Sequence, residues 1–147
     1  MEPKILEEEN ILLNVASETF TEAIERVGNL LVENGYVEKE YIEGMKKRNN
    51  DITTYIGNGV AIPHGMSEYV KYIKQSGIVI AQYPNGVDFG EGNTAYIVIG
   101  IAGKNDDHIT ILSKIALACS SEEDVKKLIN SKDKNEIISL IMDQDEE

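Results

Sequence analysis

The chain has 147 residues, 41% of them hydrophobic, which is enough for one hydrophobic core and too few to expect two independent domains. Its formal net charge of −12 opposes binding to nucleic-acid backbones or anionic lipid, and no basic patch is evident to offset it. The longest apolar runs, such as Tyr96 to Ala102, fall far short of the roughly 20 residues that cross a bilayer. No charged-then-apolar leader opens the chain, and Cys119 stands alone, so no internal disulfide can form. A cytoplasmic protein without direct membrane insertion is expected, and a basic protein partner suits its surface.

Met1 to Asn10 is acidic and expected to fray. Ile11-Leu12-Leu13 is a short apolar run suited to a strand. From Thr19, Phe20, Ile24, Val27, Leu30 and Leu31 recur at helical spacing, and Gly35 after Asn34 is a suitable stop. A second helix is predicted from Glu38 to about Arg48. It buries Tyr41, Ile42 and Met45, carries Lys46, Lys47 and Arg48 in its last turn as the helix dipole favours, and is ended by Asn49-Asn50-Asp51.

The middle of the chain changes period. Tyr55-Ile56, Val60-Ala61-Ile62, Gly77 to Tyr83 and Tyr96 to Ala102 are β-rich runs separated by glycines and should form one sheet. Pro84-Asn85-Gly86 and Gly90-Glu91-Gly92-Asn93 are turn signals. From Asp107 the helical period returns, with Ile111, Leu112, Ile115, Ala116 and Cys119 on an apolar face, which makes Cys119 a packing residue. Ser120 and Glu123 have capping-box spacing for a further helix, and Asn135 to Met142 forms the last. The tail Asp143 to Glu147 is acidic and expected to be solvated. Helices at both ends around central strands imply an α/β sandwich.

The chain has two histidines, each where an apolar element meets a polar loop. Pro63 cannot continue the ladder of the strand before it and Gly65 permits a turn, so His64 is presented at a strand end on a constrained loop. An imidazole so held, neutral at pH 7 and oriented through one ring nitrogen, suits nucleophilic work at the other. His108 follows the N-cap candidates Asp106 and Asp107, beside the orphan N–H groups and positive dipole end of a helix, where phosphate is attracted. Arg48 could add a bidentate fork to phosphoryl oxygens. Transferring phosphoryl groups are stabilised mostly by such positioned donors and cations. No Walker lysine or G-x-G-x-x-G follows a strand, so Gly57, Gly59 and Gly65 do not make a nucleotide loop.

Gly59-Val60-Ala61-Ile62-Pro63-His64-Gly65 closely resembles the phosphohistidine signature of the mannitol/fructose-type enzyme IIA proteins of the sugar phosphotransferase system. Arg48 lies where that family carries its active-site arginine. The segments Gln82 to Gly90 (QYPNGVDFG) and Ile99 to Ile109 (IGIAGKNDDHI) are similar to the mannitol branch, and the likeness covers roughly residues 8 to 142. The resemblance implies an α/β fold with a single mixed β-sheet of about five strands flanked by helices on both faces, in one enzyme IIA domain spanning residues 1–147. It also implies that His64 accepts a phosphoryl group on Nε2 from the phosphocarrier HPr and passes it to a cysteine of the cytoplasmic IIB domain of an enzyme IIB/IIC mannitol permease. His108 and Arg48 become the second active-site histidine and the charge-stabilising arginine. No cofactor and no metal is implied. The chain carries no membrane or cysteine-bearing transfer segment, so a IIA unit separate from its permease is expected.

Three other readings compete. A metal-dependent hydrolase could use the histidines with Glu91, Asp106 and Asp107, but their spacing matches no compact metal motif. A regulatory nitrogen-type or fructose-type enzyme IIA phosphoprotein would carry a similar site, although QYPNGVDFG and NDDHI favour the transport branch. A binding module whose histidines are never phosphorylated is the third.

Overall fold

The two apolar runs Ile78 to Ala81 and Ile97 to Ile101 decide the architecture, because side chains on a strand alternate between two faces and here both faces are apolar. The computed structural model describes residues 5–51, 53–65, 67–104 and 107–142. Its elements run β1 (Ile11–Leu12), α1 (Phe20–Glu33), α2 (Tyr41–Asp51), β2 (Tyr55–Gly57), β3 (Val60–Ala61), β4 (Gly77–Asp88), β5 (Thr94–Ala102), α3 (Asp107–Ala118), α4 (Glu122–Asn130) and α5 (Lys134–Met142). The five strands form one mixed sheet in the order β1-β4-β5-β3-β2. β4 and β5 pair antiparallel at its centre, β1 and β3 join in parallel on either side, and β2 completes the edge antiparallel to β3.

Val79, Ala81, Tyr83, Val98 and Ala102 bury against Ala23, Ile24, Val27 and Leu31 of α1 and Met45 of α2. Ile78, Ile80, Ile97, Ile99 and Ile101 bury on the opposite side against Ile111, Ile115, Val125, Leu128, Ile137 and Ile141 from the last three helices. The expected sandwich with helices on both faces is therefore present. α1 starts as its sequence demands: the Thr19 hydroxyl accepts from Glu22 N–H at 3.1 Å, while the Glu22 carboxylate accepts from Thr19 N–H at 3.0 Å.

Several expected boundaries move. α2 begins at Tyr41 rather than Glu38 and runs through Asn49 to Asp51, because Asn49 does not break the helix but turns its amide inward, where its Oδ1 accepts from Thr54 N–H and hydroxyl at 2.9 and 2.8 Å. Pro84-Asn85-Gly86 is not a turn between strands. β4 continues past it, and residues 83–86 bulge out between the pairs Gln82↔Ile97 and Val87↔Ala95. Proline has no N–H to give a ladder, and Gly86 takes a positive φ of 83°, so the extra residues leave the sheet without breaking it. The hairpin is closed instead at Gly90 to Asn93, where Phe89 N–H donates to Asn93 at 2.8 Å. The cap of α4 is Ser121, whose hydroxyl accepts from Asp124 N–H at 3.1 Å. The expected cap, Ser120, spends its hydroxyl on the Leu117 carbonyl at the end of α3. A 3₁₀ turn at Ser67–Tyr72, which no periodicity announced, follows the His64 loop.

The expected fraying at the amino end is also corrected over residues 5–10. Leu6 and Asn10 are buried. The Asn10 amide donates to Tyr36 hydroxyl at 2.8 Å and to the Ile78 carbonyl at 3.0 Å, and its Oδ1 accepts from Asn34 at 2.9 Å. A composition-based reading cannot see a side chain that ties a polar segment into the core. The acidic tail 143–147 and residues 1–4 lie outside the described residues. Asn10→Ala removes these hydrogen bonds from a buried side chain and should lower unfolding free energy by about 2 kcal/mol in urea denaturation. A loss below about 0.5 kcal/mol would show that this anchor does not hold.

Candidate active site

β3 lies parallel to β5 with Val60 opposite Ile97 and Ala61 opposite Val98. Pro63 leaves the ladder as donor, yet its carbonyl still accepts from Ile101 N–H at 3.0 Å. Pairing then resumes in the same register, with His64 bridged to Ile101. The proline thus ends β3 without releasing the chain, and His64 sits at the edge of regular structure on a fixed backbone.

The imidazole is held from one side. Its Nδ1 lies 2.8 Å from the carbonyl oxygen of Ile62. A carbonyl can only accept, so Nδ1 carries the proton and Nε2 presents the lone pair. Across from it, in the first turn of α3, the His108 ring lies 5.4 Å away between centroids and is tilted by 55°. Gly103, at the exit of β5, lets α3 approach this closely: a Cβ there would fall 2.5 Å from the Cα of His108. Arg48, half-buried near the end of α2, brings its charge to bear on the His64 ring. The chain's other arginine, Arg26, is committed elsewhere and grips Glu18 in a bidentate pair at 2.7 and 3.0 Å.

The His64 pKa is lowered, first by burial and further by the nearby charges of Arg48 and His108, against the opposing pull of the Ile62 carbonyl. Burial lowers that of His108 as well. At neutral pH the site therefore offers a neutral imidazole with Nε2 available, beside a second imidazole and a guanidinium that can meet developing negative charge. That is the equipment of a histidine-based group-transfer site.

The three residues singled out in the sequence are thus brought to one place. α3 begins at Asp107 itself, so Asp107 lies within the first turn, where its carboxylate accepts from Ser76 at 2.7 Å. Asp106, the other cap candidate, lies outside the described residues. Cys119 is buried, and burial with the nearby Asp124 charge pushes its thiol up to about 12. Among the described residues, no group of three or more His, Cys, Asp or Glu side chains could hold a metal ion. No helix among them is long and apolar enough to cross a membrane. Sequence reasoning placed Tyr41 only in the core, although its hydroxyl accepts from Gly65 N–H, the residue after His64, at 2.9 Å. The available signal was that a buried tyrosine must place its hydroxyl on a partner.

The profile of the family described as "Phosphoenolpyruvate-dependent sugar phosphotransferase system, EIIA 2" matches residues 4–144. The chain belongs to this family, and so to the phosphotransferase components of that system. It is 49% identical over 141 residues to the mannitol-specific phosphotransferase enzyme IIA component of Geobacillus stearothermophilus, covering 96% of this chain and 97% of that one. It is similar to the crystal structure of IIA mannitol from Escherichia coli, with TM-score 0.85, 38% identity and coverage of 92% and 98%. It is also similar to a chain in the complex of enzyme IIA mannitol with phosphorylated enzyme IIB mannitol from the same organism, with TM-score 0.89, 36% identity and coverage of 95% and 98%.

Both histidines should titrate below the ordinary value of 6.5, followed by the ring-proton shifts in NMR; a His64 midpoint above 6.5 would contradict the burial and charge argument. The same shifts fix how stability responds to pH. Their contribution is complete above the unfolded-state value and is lost as pH falls, because the unfolded chain then binds protons that the native sites refuse. The urea midpoint should therefore drop as pH is lowered from about 6.5 towards the folded-state values, and less steeply in His64→Gln.

Proposed function

We propose that the protein is a cytoplasmic phosphocarrier that receives a phosphoryl group from phospho-HPr on Nε2 of His64 and delivers it to a cysteine of a mannitol-specific enzyme IIB. The observation that carries this reading is the Nδ1–H bond of His64 to the Ile62 carbonyl, which leaves the Nε2 lone pair free in a ring 5.4 Å from that of His108 and under Arg48's charge. The Nε2 lone pair attacks phosphorus, and the N–P bond of the donor histidine breaks with its electron pair returning to the donor nitrogen. In the second half, the thiolate of the acceptor attacks the same phosphorus and the bond to His64 breaks. Arg48 and His108 stabilise the spread charge of each transition state. The mannitol-specific enzyme IIA names of the relatives, and the enzyme IIB partner in the Escherichia coli complex, support mannitol and enzyme IIB as the branch and acceptor.

Both partners must leave quickly, since a carrier that held either would block the next transfer. Ile109, 69% exposed in the first turn of α3, offers an apolar contact next to His108. Ile56 and Ile62 line an apolar cleft with Leu112 that begins at the residue gripping His64. A modest apolar centre on a chain of net charge −12 gives fast, salt-sensitive encounter rather than tight binding.

With phosphoenolpyruvate, enzyme I and HPr present, wild type should gain the mass of one acid-labile phosphoryl group and His64→Ala should gain none. An unmodified wild type beside an active donor system would replace this reading with that of a binding module. Ile109→Asp should raise KM for phospho-HPr about tenfold while leaving kcat nearly unchanged, because it alters the encounter surface and not the ring. A fall confined to kcat would remove Ile109 from the docking face.

A further inference from the structure

α2 holds the backbone on both sides of His64. Upstream, Asn49 accepts from Thr54, the Thr54 carbonyl accepts from Ile62 N–H at 2.9 Å, and the Ile62 carbonyl takes the Nδ1 proton of His64. Downstream, Tyr41 stands in the core with 2% of its surface exposed. Its hydroxyl accepts from Gly65 N–H at 2.9 Å and donates to the Ile101 carbonyl at 2.9 Å. The directions are forced, since an amide can only donate and a carbonyl can only accept. The phenol stays protonated, pushed up to about 12 by burial against the lowering effect of the Gly65 bond. Its ring also fills the space beside Gly65, where a Cβ would lie 2.5 Å from Cε1 of Tyr41.

One hydroxyl therefore ties the residue after His64 to the strand residue that His64 itself is bridged to. We infer that Tyr41 is a positioning residue for phosphoryl transfer: its hydroxyl locks Gly65 against Ile101 and so holds the His64 ring on the Ile62 carbonyl with Nε2 aimed outward. This rests on the reading of His64 as the phosphoryl acceptor. If the loop could rotate, Nδ1 would lose its acceptor, both tautomers would be populated, and only part of the molecules would present a lone pair in the transfer direction.

Tyr41→Phe keeps the ring against Gly65 and removes only the hydroxyl, so packing and positioning separate. In 15N-histidine spectra, wild type should show His64 as one tautomer protonated at Nδ1, and Tyr41→Phe should shift both ring nitrogens towards averaged values. The rate of phosphorylation by phospho-HPr should show kcat reduced about tenfold with KM changed less than about twofold. An unchanged tautomer together with unchanged kcat would overturn the inference. Wild-type protein gives an independent check if the variant folds poorly: the Tyr41 hydroxyl proton should exchange slowly and show a cross-relaxation peak to the Gly65 amide, and its absence would also overturn the inference. Failure of the underlying reading looks different, because wild type would then remain unphosphorylated at His64 whatever the tautomer of the variant.

Discussion

The backbone of Ile101 carries the contacts on which the site depends. Its N–H donates to Pro63 at 3.0 Å, its carbonyl accepts from Tyr41 at 2.9 Å, and the residue is bridged in parallel to His64. Ile101 can do this because its side chain is buried in the core shared with α3 and its strand is paired on both sides. A loop held against such a strand inherits the strand's rigidity. The constraint matters because reaction geometry tolerates little drift, and a buried ladder is the least mobile support a small domain offers.

The rest of the site is arranged by close approach. Gly103 brings the backbone of α3 against the end of β5, and that contact sets where His108 meets His64. α2 reaches the loop from the other side of the sheet through Tyr41 at its first turn and Asn49 near its last. Arg48 lies between them in sequence, on the same helix. The element that brings a cation to the imidazole is thus also the element that holds the imidazole's backbone, so one helix positions both.

Much of this was legible in the chain because it depends on local chemistry. The continuous β-rich runs Ile78 to Ala81 and Ile97 to Ala102 announced strands of one sheet, and Pro63-His64-Gly65 announced a fixed histidine at a strand end. The Thr19 start and the Gly90 to Asn93 turn follow from residues adjacent in sequence. What could not be read depends on partners farther along the chain. Asn10 belongs to the core because Tyr36 and Ile78 meet it there. Pro84-Asn85-Gly86 has the composition of a turn, and only the continued pairing of Val87 with Ala95 makes it a bulge. Asn49 stays within α2 because Thr54 donates to its side chain from beyond the helix end. The role of Tyr41 was hidden for the same reason, since its two hydrogen-bond partners lie 24 and 60 residues away.

The charges around His64 act in opposite directions on its two chemical states. In the free protein, Arg48 and His108 disfavour a proton on the ring, adding to the effect of burial. A proton on Nε2 would occupy the lone pair that must attack phosphorus, so this repulsion keeps the nucleophile available. On the proposed reading, Arg48 faces a phosphoryl group of opposite sign once transfer has occurred, and its effect becomes attraction, to which the His108 imidazole can add a hydrogen bond. Protonation and phosphorylation compete for one nitrogen, and a fixed cation favours the anionic occupant over the cationic one. The attraction need not be strong, because the phosphoryl group has to leave again for the next acceptor. An arrangement of one guanidinium and one neutral imidazole, half-buried rather than enclosed, suits that intermediate strength better than a closed cationic cage would.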